Sequence, residues 1–470
     1  MHRRSFLHAL ATTSAGLALP AAAVQRSSAP VPKTIAPPVR FLAPADSRYD
    51  AARKVFNSTV LTRPPLIACC TTEAGVKQAV ARASAEGLSI SIKSGGHSFE
   101  GFCLSENGMT VELAGLKSLH LDNKTGLLAA GPGCQLGEVN RWLLARGRLL
   151  PSGSCATVGL AGLTLGGGYG LFSRRYGLTC DHLESVRLVD ADGQVHDSRD
   201  EPELLWACRG GGNGHFGVVT EMIFRTRTAP KQLAAFKCRA ASLNETRATL
   251  LLKTWFEASA TLPREAFSAF VLNGTFLTVL VTTTGPANHK GLVQFLKAME
   301  GSTGQSSSAK PVPLAAALPR YYGEPGPVAF KNASGGYYQS FADLQPALPG
   351  VLHEVLTTPG LIFQVNTLGG AIREGPPSAY PHRNQLFLGE WQSYWQSPAQ
   401  RERCLAATTR VRKTLAKHGI SRHYANYPDK GFSDWPNAYY GEANYARLQA
   451  LKRQIDPGNR FRHDQSVTNK

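Results

Sequence analysis

Apolar and polar positions alternate with a period of two from Leu88 to Ile92 and repeatedly between residues 183 and 282. A helical period interrupts that alternation over residues 72–86, 136–145, 203–208, 290–299 and 439–455. The first run predicts a half-buried strand, preceded by a helix capped by Thr72 and ended at Gly87, so residues 66–93 read as strand–helix–strand. Leu183–Val189 and Gln194–His196 predict a hairpin about Asp192-Gly193, and residues 217–226 a further strand. Beyond Pro230 come the strands Phe267–Leu272 and Phe276–Thr282 and the helix Lys290–Met299. Residues 301–310 are low-complexity and predict a mobile loop. The segment running into Asp456-Pro457-Gly458 predicts one amphipathic helix.

Glycine breaks this pattern at two places. Ile92 runs into Lys93-Ser94-Gly95-Gly96-His97-Ser98, and eight glycines fall between Gly153 and Gly177. Paired glycines let backbone approach a bulky ligand with no Cβ in the way, and successive N–H groups in such loops can face phosphate oxygens. Neither loop has the spacing of a Rossmann dinucleotide fingerprint. Each alone is compatible with a tight turn; together they favour a bound dinucleotide.

Composition sets the class. The chain has 470 residues, 43% hydrophobic and 18% charged, which indicates a globular protein of about two domains. No apolar run is long enough to span a bilayer, which argues against stable membrane anchoring. Residues 1–23 carry Arg3-Arg4, an apolar stretch and an Ala21-Ala22-Ala23 cleavage pattern. That is the form of a twin-arginine signal peptide, whose partner is the twin-arginine export machinery and whose destination is the periplasm or the exterior. A Pro-rich linker, residues 24–45, follows. Lys and Arg total 51 against 33 Asp and Glu, a net charge of +18, but the charges are scattered without a basic block. Polyanion or nucleic-acid binding is disfavoured accordingly. The nine cysteines show no metal-ligand spacing, and an odd number leaves one without an intrachain partner.

Four motifs in order carry a family resemblance: residues 93–98; Cys155-Ala156-Thr157-Val158-Gly159 through Gly166-Gly167-Gly168-Tyr169-Gly170; Leu205–Gly212 leading to Phe216-Gly217-Val218-Val219-Thr220; and Tyr424-Ala425-Asn426-Tyr427-Pro428-Asp429 with the segments to Gln465-Ser466. Over residues 50–468 the chain resembles the berberine-bridge-enzyme-like FAD-linked oxidases of the vanillyl-alcohol-oxidase, or PCMH-type, fold. The resemblance implies an α+β flavoprotein. An FAD domain at 46–229 would be completed by residues 421–470, with an α+β substrate domain, 230–420, inserted between them.

It further implies FAD bonded covalently to His97 and, where the family carries a second bond, to Cys155. Against that second bond, residues 158–163 read Val-Gly-Leu-Ala-Gly-Leu, where doubly bonded relatives often read Val-Gly-Val-Gly-Gly-His. Lys93, Ser94, Gly95, Gly96, Ser98, Val158, Gly159, Gly162, Gly167, Gly168, Gly170, Val219 and Asn426 match cofactor-binding positions. Val158 also matches the position where a small residue goes with use of O2. The strand Phe387–Trp395 matches the substrate-facing strand. Its alternation puts Leu388, Glu390 and Gln392 on one face and Gly389, Trp391 and Ser393 on the other. The resemblance makes Tyr424 the expected base, assisted by Glu390, with Tyr427 beside it. Trp391, Tyr394 and Trp395 are candidate platforms for a sugar ring. The expected reaction is oxidation of a sugar or other alcohol with release of H2O2. Transfer to a non-O2 acceptor and oxidation of amines or aromatic alcohols are the alternatives.

Overall fold

The computed structural model describes residues 37–469 and contains three principal sheets. The first has the order Val39–Leu42, Leu66–Cys70, Met109–Glu112, Ile90–Lys93. The expected strand–helix–strand unit is present, with the helix Glu73–Ala85 capped by Thr72 Oγ1, which accepts from Gly75 N at 3.1 Å. Its two strands are not neighbours, because Met109–Glu112 inserts between them, parallel to both. The strand at Ile90 is covered on both sides, with Ile90, Ser91 and Lys93 all buried, rather than half-buried. The last part of the supposed linker is also structured: Val39–Leu42 pairs antiparallel with Leu66–Cys70. The remainder of that linker up to Ala36, and the signal sequence, lie outside the described residues.

A second, antiparallel sheet has the order Leu119–Asp122, Leu127–Ala130, Val218–Arg225, Leu183–Val189, Val195–Asp197 and includes the expected hairpin. Its core is shared with the C-terminal segment, for Leu448, Leu451 and Ile455 pack among Leu204, Trp206 and Phe224. That segment is two helices, Trp435–Tyr440 and Glu442–Ile455, rather than one. Gly441 separates them at φ +71°, a conformation that L side chains rarely adopt. The chain end returns to the first sheet, where Ile90 N donates to Arg460 O at 2.8 Å. Lys452 locks this return: its fully buried ammonium donates to Asp456 Oδ2 at 2.6 Å and to the carbonyls of His215 and Phe461.

The third sheet is seven-stranded and antiparallel, in the order Ser306–Pro313, Gln232–Ala240, Phe276–Thr283, Ala266–Asn273, Leu361–Thr367, Phe387–Tyr394, Phe330–Tyr338. The low-complexity stretch expected to be a mobile loop instead finishes the helix Lys290–Thr303 and, from Ser306, forms an edge strand. Its main chain pairs with Gln232–Ala240 from Ser306 to Pro313, and ladder bonding needs no apolar side chains on a solvent-facing edge. Helices Glu245–Ser259, Lys290–Thr303, Leu348–Thr357 and Pro398–Lys417 bury one face of this sheet through Trp255, Phe295, Val351 and Val411. The opposite face is left for the site. All nine cysteines are unpaired thiols.

Candidate active site

A cavity of about 1350 Å³ lies between the free face of the seven-stranded sheet and the two glycine loops. Such a volume exceeds the usual small-molecule pocket and has room for a dinucleotide and a substrate together. The loops touch through their backbones. A Cβ on Gly95 would overlap the Gly159 backbone, and a Cβ on Gly159 would overlap Gly95. Gly96 turns the chain at φ +68° and delivers His97 into the cavity wall. The His97 ring stacks on Phe56, centroids 4.1 Å apart, and its Nε2 lies 2.9 Å from Thr157 Oγ1 on the second loop. Burial lowers the His97 pKa to about 4, so the imidazole is neutral at neutral pH. Cys155, two residues before Thr157, lines the same cavity. Burial, then the Glu390 charge, raises its thiol pKa.

Most of the expected cofactor positions converge here. Ser94, Gly95, Gly96, Ser98, Val158, Gly159, Gly162, Gly170, Val219 and Asn426 all line the cavity. Three do not. Lys93 turns away beneath the first loop and forms a buried ion pair with Glu112, its Cε packed under Gly96. Gly167 and Gly168 are buried behind the wall, where Gly168 N donates to Tyr424 Oη at 2.8 Å. A Cβ on Gly167 would press on the rings of Tyr380 and Tyr424, and one on Gly168 would overlap the Thr179 side chain.

The expected alternation along Phe387–Tyr394 is present. Glu390, Gln392, Tyr394 and the following Trp395 line the cavity. Trp391 points the other way, into the helix-covered core, stacked on Phe363 at 4.5 Å. It is therefore unavailable as a sugar platform. A bulge in the neighbouring strand at Ser334–Gly336 turns Ser334 Oγ toward the Tyr424 backbone, accepting from Tyr424 N at 3.1 Å. That contact fixes the turn carrying Tyr424, Asn426 and Tyr427 against the sheet.

Electrostatics revise the expected roles of Glu390 and Tyr424. Tyr424 Oη accepts from both Gly168 N and Asn426 Nδ2, which favours phenolate, but burial outweighs both and pushes its pKa up. Among the described residues no cationic side chain is hydrogen-bonded to the Tyr424 hydroxyl, as the expected ionised base requires. Glu390, wholly enclosed, titrates at about 7: desolvation raises it, and contacts with Gln392 and Tyr427 partly lower it. The group poised to exchange a proton at neutral pH is thus the carboxyl, while Tyr424 stands in the same cavity wall as a hydrogen-bonding phenol.

Several cavity residues went unselected from the sequence. Tyr169 Oη lies 2.7 Å from Tyr427 Oη and accepts from Asn366 Nδ2 at 3.0 Å, and Asn213 donates to Asn426 Oδ1 at 3.1 Å. Gln364 and Asn366 had a readable signal: two polar residues at period two inside the apolar strand Leu361–Thr367.

The comparisons with known proteins agree with this geometry. An FAD binding domain model matches residues 64–199, and a berberine and berberine-like model matches residues 423–468. The chain is 30% identical over 458 residues to an uncharacterized FAD-linked oxidoreductase, YgaK, of Bacillus subtilis, covering 91% of this chain and 96% of that one. It is also 30% identical to a chitooligosaccharide oxidase of Gibberella zeae, covering 88% and 89%. Among solved structures, Physcomitrella patens BBE-like 1 superposes with a TM-score of 0.84 at 26% identity, covering 92% of this chain and 97% of that one. The fold and site define an FAD-linked oxidoreductase of the PCMH-type class. Within that class, the chain belongs to the berberine-bridge-enzyme-like family.

Proposed function

We propose that this protein is an exported, covalently flavinylated oxidase that oxidises the anomeric carbon of a sugar or oligosaccharide and passes the electrons to O2. One observation carries the reading: a carboxyl with a pKa near 7, Glu390, stands in the cavity wall with Gln392 and Tyr427, across from both glycine loops. A general base works best when its pKa lies near the working pH. The residues present fit FAD, because two loops meet through bare backbone beside a mostly apolar cavity large enough for it. Ser94, Gly95, Gly96, Gly159 and Asn426 would hold it, and His97 and Cys155 would bond it. When bound, FAD accepts the hydride and passes electrons to O2.

The chain's own part is to bind, orient and deprotonate. Burial keeps His97 neutral, which leaves an imidazole nitrogen free to act as the nucleophile that attaches the cofactor. Glu390 takes the hydroxyl proton of the substrate. Gln392 and the Tyr424 hydroxyl orient that hydroxyl, and Tyr394 and Trp395 supply aromatic surface for the ring. A carbohydrate substrate is supported by the chitooligosaccharide oxidase relative. Export rests on the leader sequence. The purified holoenzyme, assayed for H2O2 against mono- and oligosaccharides, aromatic alcohols and amines, should respond to aldoses. Peroxide with amines alone would replace this substrate assignment; one relative is named (R)-6-hydroxynicotine oxidase.

A further inference from the structure

Among the described residues three large apolar side chains are exposed, Leu61, Leu250 and Phe276, and of these Phe276 lines the cavity. A lone exposed apolar residue is ordinary on a protein surface; one at the mouth of a cavity is a candidate contact for what the cavity binds. The sheet explains its position. In the strand Phe276–Thr283, Leu277, Val279 and Val281 enter the helix-covered core, so Phe276 stands on the opposite face, toward the cavity. The hairpin that presents it is bare. Phe276 pairs with Asn273 across the turn Gly274-Thr275, and a Cβ added at Gly274 would meet nothing within 4 Å.

Strand register gives the distance from this ring to the reacting end of the cavity. Phe276 pairs with Asn273, Asn273 with Ile362, and Ile362 with Gln392. Directly paired residues share a face, so these side chains form one row across adjacent strands, and all of them line the cavity. Three inter-strand steps place Phe276 about 14 Å from Gln392. Glu390 stands in the next row, opposite Gln364. A single sugar ring held at Glu390 therefore falls short of Phe276, and the wall between them mixes amide groups with the apolar surface of Ile362.

We infer that Phe276 is the platform of a distal subsite for a neutral oligosaccharide: the ring to be oxidised sits at Glu390, and a ring further along the same sugar chain lies on the exposed face of Phe276. This rests on the carbohydrate reading of the site, and it names the length of the substrate. A sugar ring presents a C–H face and hydroxyl edges, which an aromatic ring and amide side chains satisfy in turn. Among the described residues no Lys or Arg lines the cavity, although the chain carries a net charge of +18, so the wall offers no counter-charge to the carboxylates of an acidic glycan.

Calorimetric titration of the holoenzyme with methyl glycosides of cello-, xylo-, chito- and malto-oligosaccharides, from monosaccharide to tetrasaccharide, tests this without turnover, because a methyl glycoside has no free anomeric hydroxyl to oxidise. In at least one series the wild-type Kd should fall about tenfold from the monosaccharide to the longer members, the gain from roughly one stacked ring. Phe276→Ala should abolish that gain while leaving the monosaccharide Kd and the melting temperature unchanged, since the side chain is exposed. Phe276→Tyr, which keeps the ring, should retain the gain. No binding in any series, a wild-type Kd independent of length, an alanine variant that keeps the gain, or one that weakens monosaccharide and oligosaccharide equally would overturn the inference. Failure of the carbohydrate reading shows separately: free aldoses and oligosaccharides mixed anaerobically with the enzyme would then leave the flavin unbleached, whatever the affinity of the glycosides.

Discussion

Glu390→Gln isolates the energetic consequence of burying a carboxyl in this wall. The substitution keeps shape and removes the charge. Glu390 titrates at about 7 against 4.5 for an unperturbed glutamate. The folded state therefore binds this proton more tightly than the unfolded one, and the stability associated with it is present at low pH. That stability is lost as pH rises from the ordinary carboxylate range through about 7, and above 7 the full penalty for an ionised buried carboxylate applies. The gap of about 2.5 pH units corresponds to roughly 3 kcal/mol at 1.36 kcal/mol per unit. With an unfolding entropy near 2.1 cal/mol/K per residue over the 433 residues from 37 to 469, that is about 4 °C in melting temperature. Scanning calorimetry of the wild-type and Glu390→Gln holoenzymes should show equal melting near pH 4 and a variant about 4 °C more stable at pH 8. Flavin reduction by substrate should at the same time slow about 10²- to 10⁴-fold, the usual contribution of a general base. A melting difference that does not change with pH would refute the reasoning, because it would mean that Glu390 is not held protonated by burial.

Flavin should remain with acid-precipitated wild-type protein and with either His97→Ala or Cys155→Ala alone, and leave only the double variant; absorbance of the washed pellet reads this directly. Gly95→Ala forces a Cβ onto the Gly159 backbone, so the purified variant should carry little flavin and melt lower, with flavin content and calorimetry as the checks. Trp391→Ala should destabilise the fold by about 3–5 kcal/mol, as removal of a buried indole does. Trp395→Ala, on the cavity side, should instead raise KM several-fold with little change in melting temperature.

The glycine loops, the period-two strand at residue 387 and the tyrosines near 424 were legible because each is a local pattern with a chemical consequence. What the sequence could not carry was which side of a wall each residue occupies. Lys93 precedes the loop as though it served the cofactor, yet a partner 19 residues away, Glu112, draws it beneath. Gly167 and Gly168 read as cofactor glycines, and only the fold shows that the Tyr380 and Tyr424 rings press on the first and the Thr179 side chain on the second. The edge strand Ser306–Pro313 has no apolar signature, because its pairing is made by main chain alone. Glu390 and Tyr424 were both selected, but burial ranks them, and burial is a property of the whole fold.

The most direct test of the central claim is anaerobic mixing of the holoenzyme with aldoses and oligosaccharides carrying protium or deuterium at the anomeric carbon, following the flavin absorbance. The account predicts bleaching by at least one of these sugars, slowed markedly by the deuterium, with H2O2 formed when air is admitted. A flavin that no sugar bleaches, or bleaching indifferent to anomeric deuterium, would contradict it.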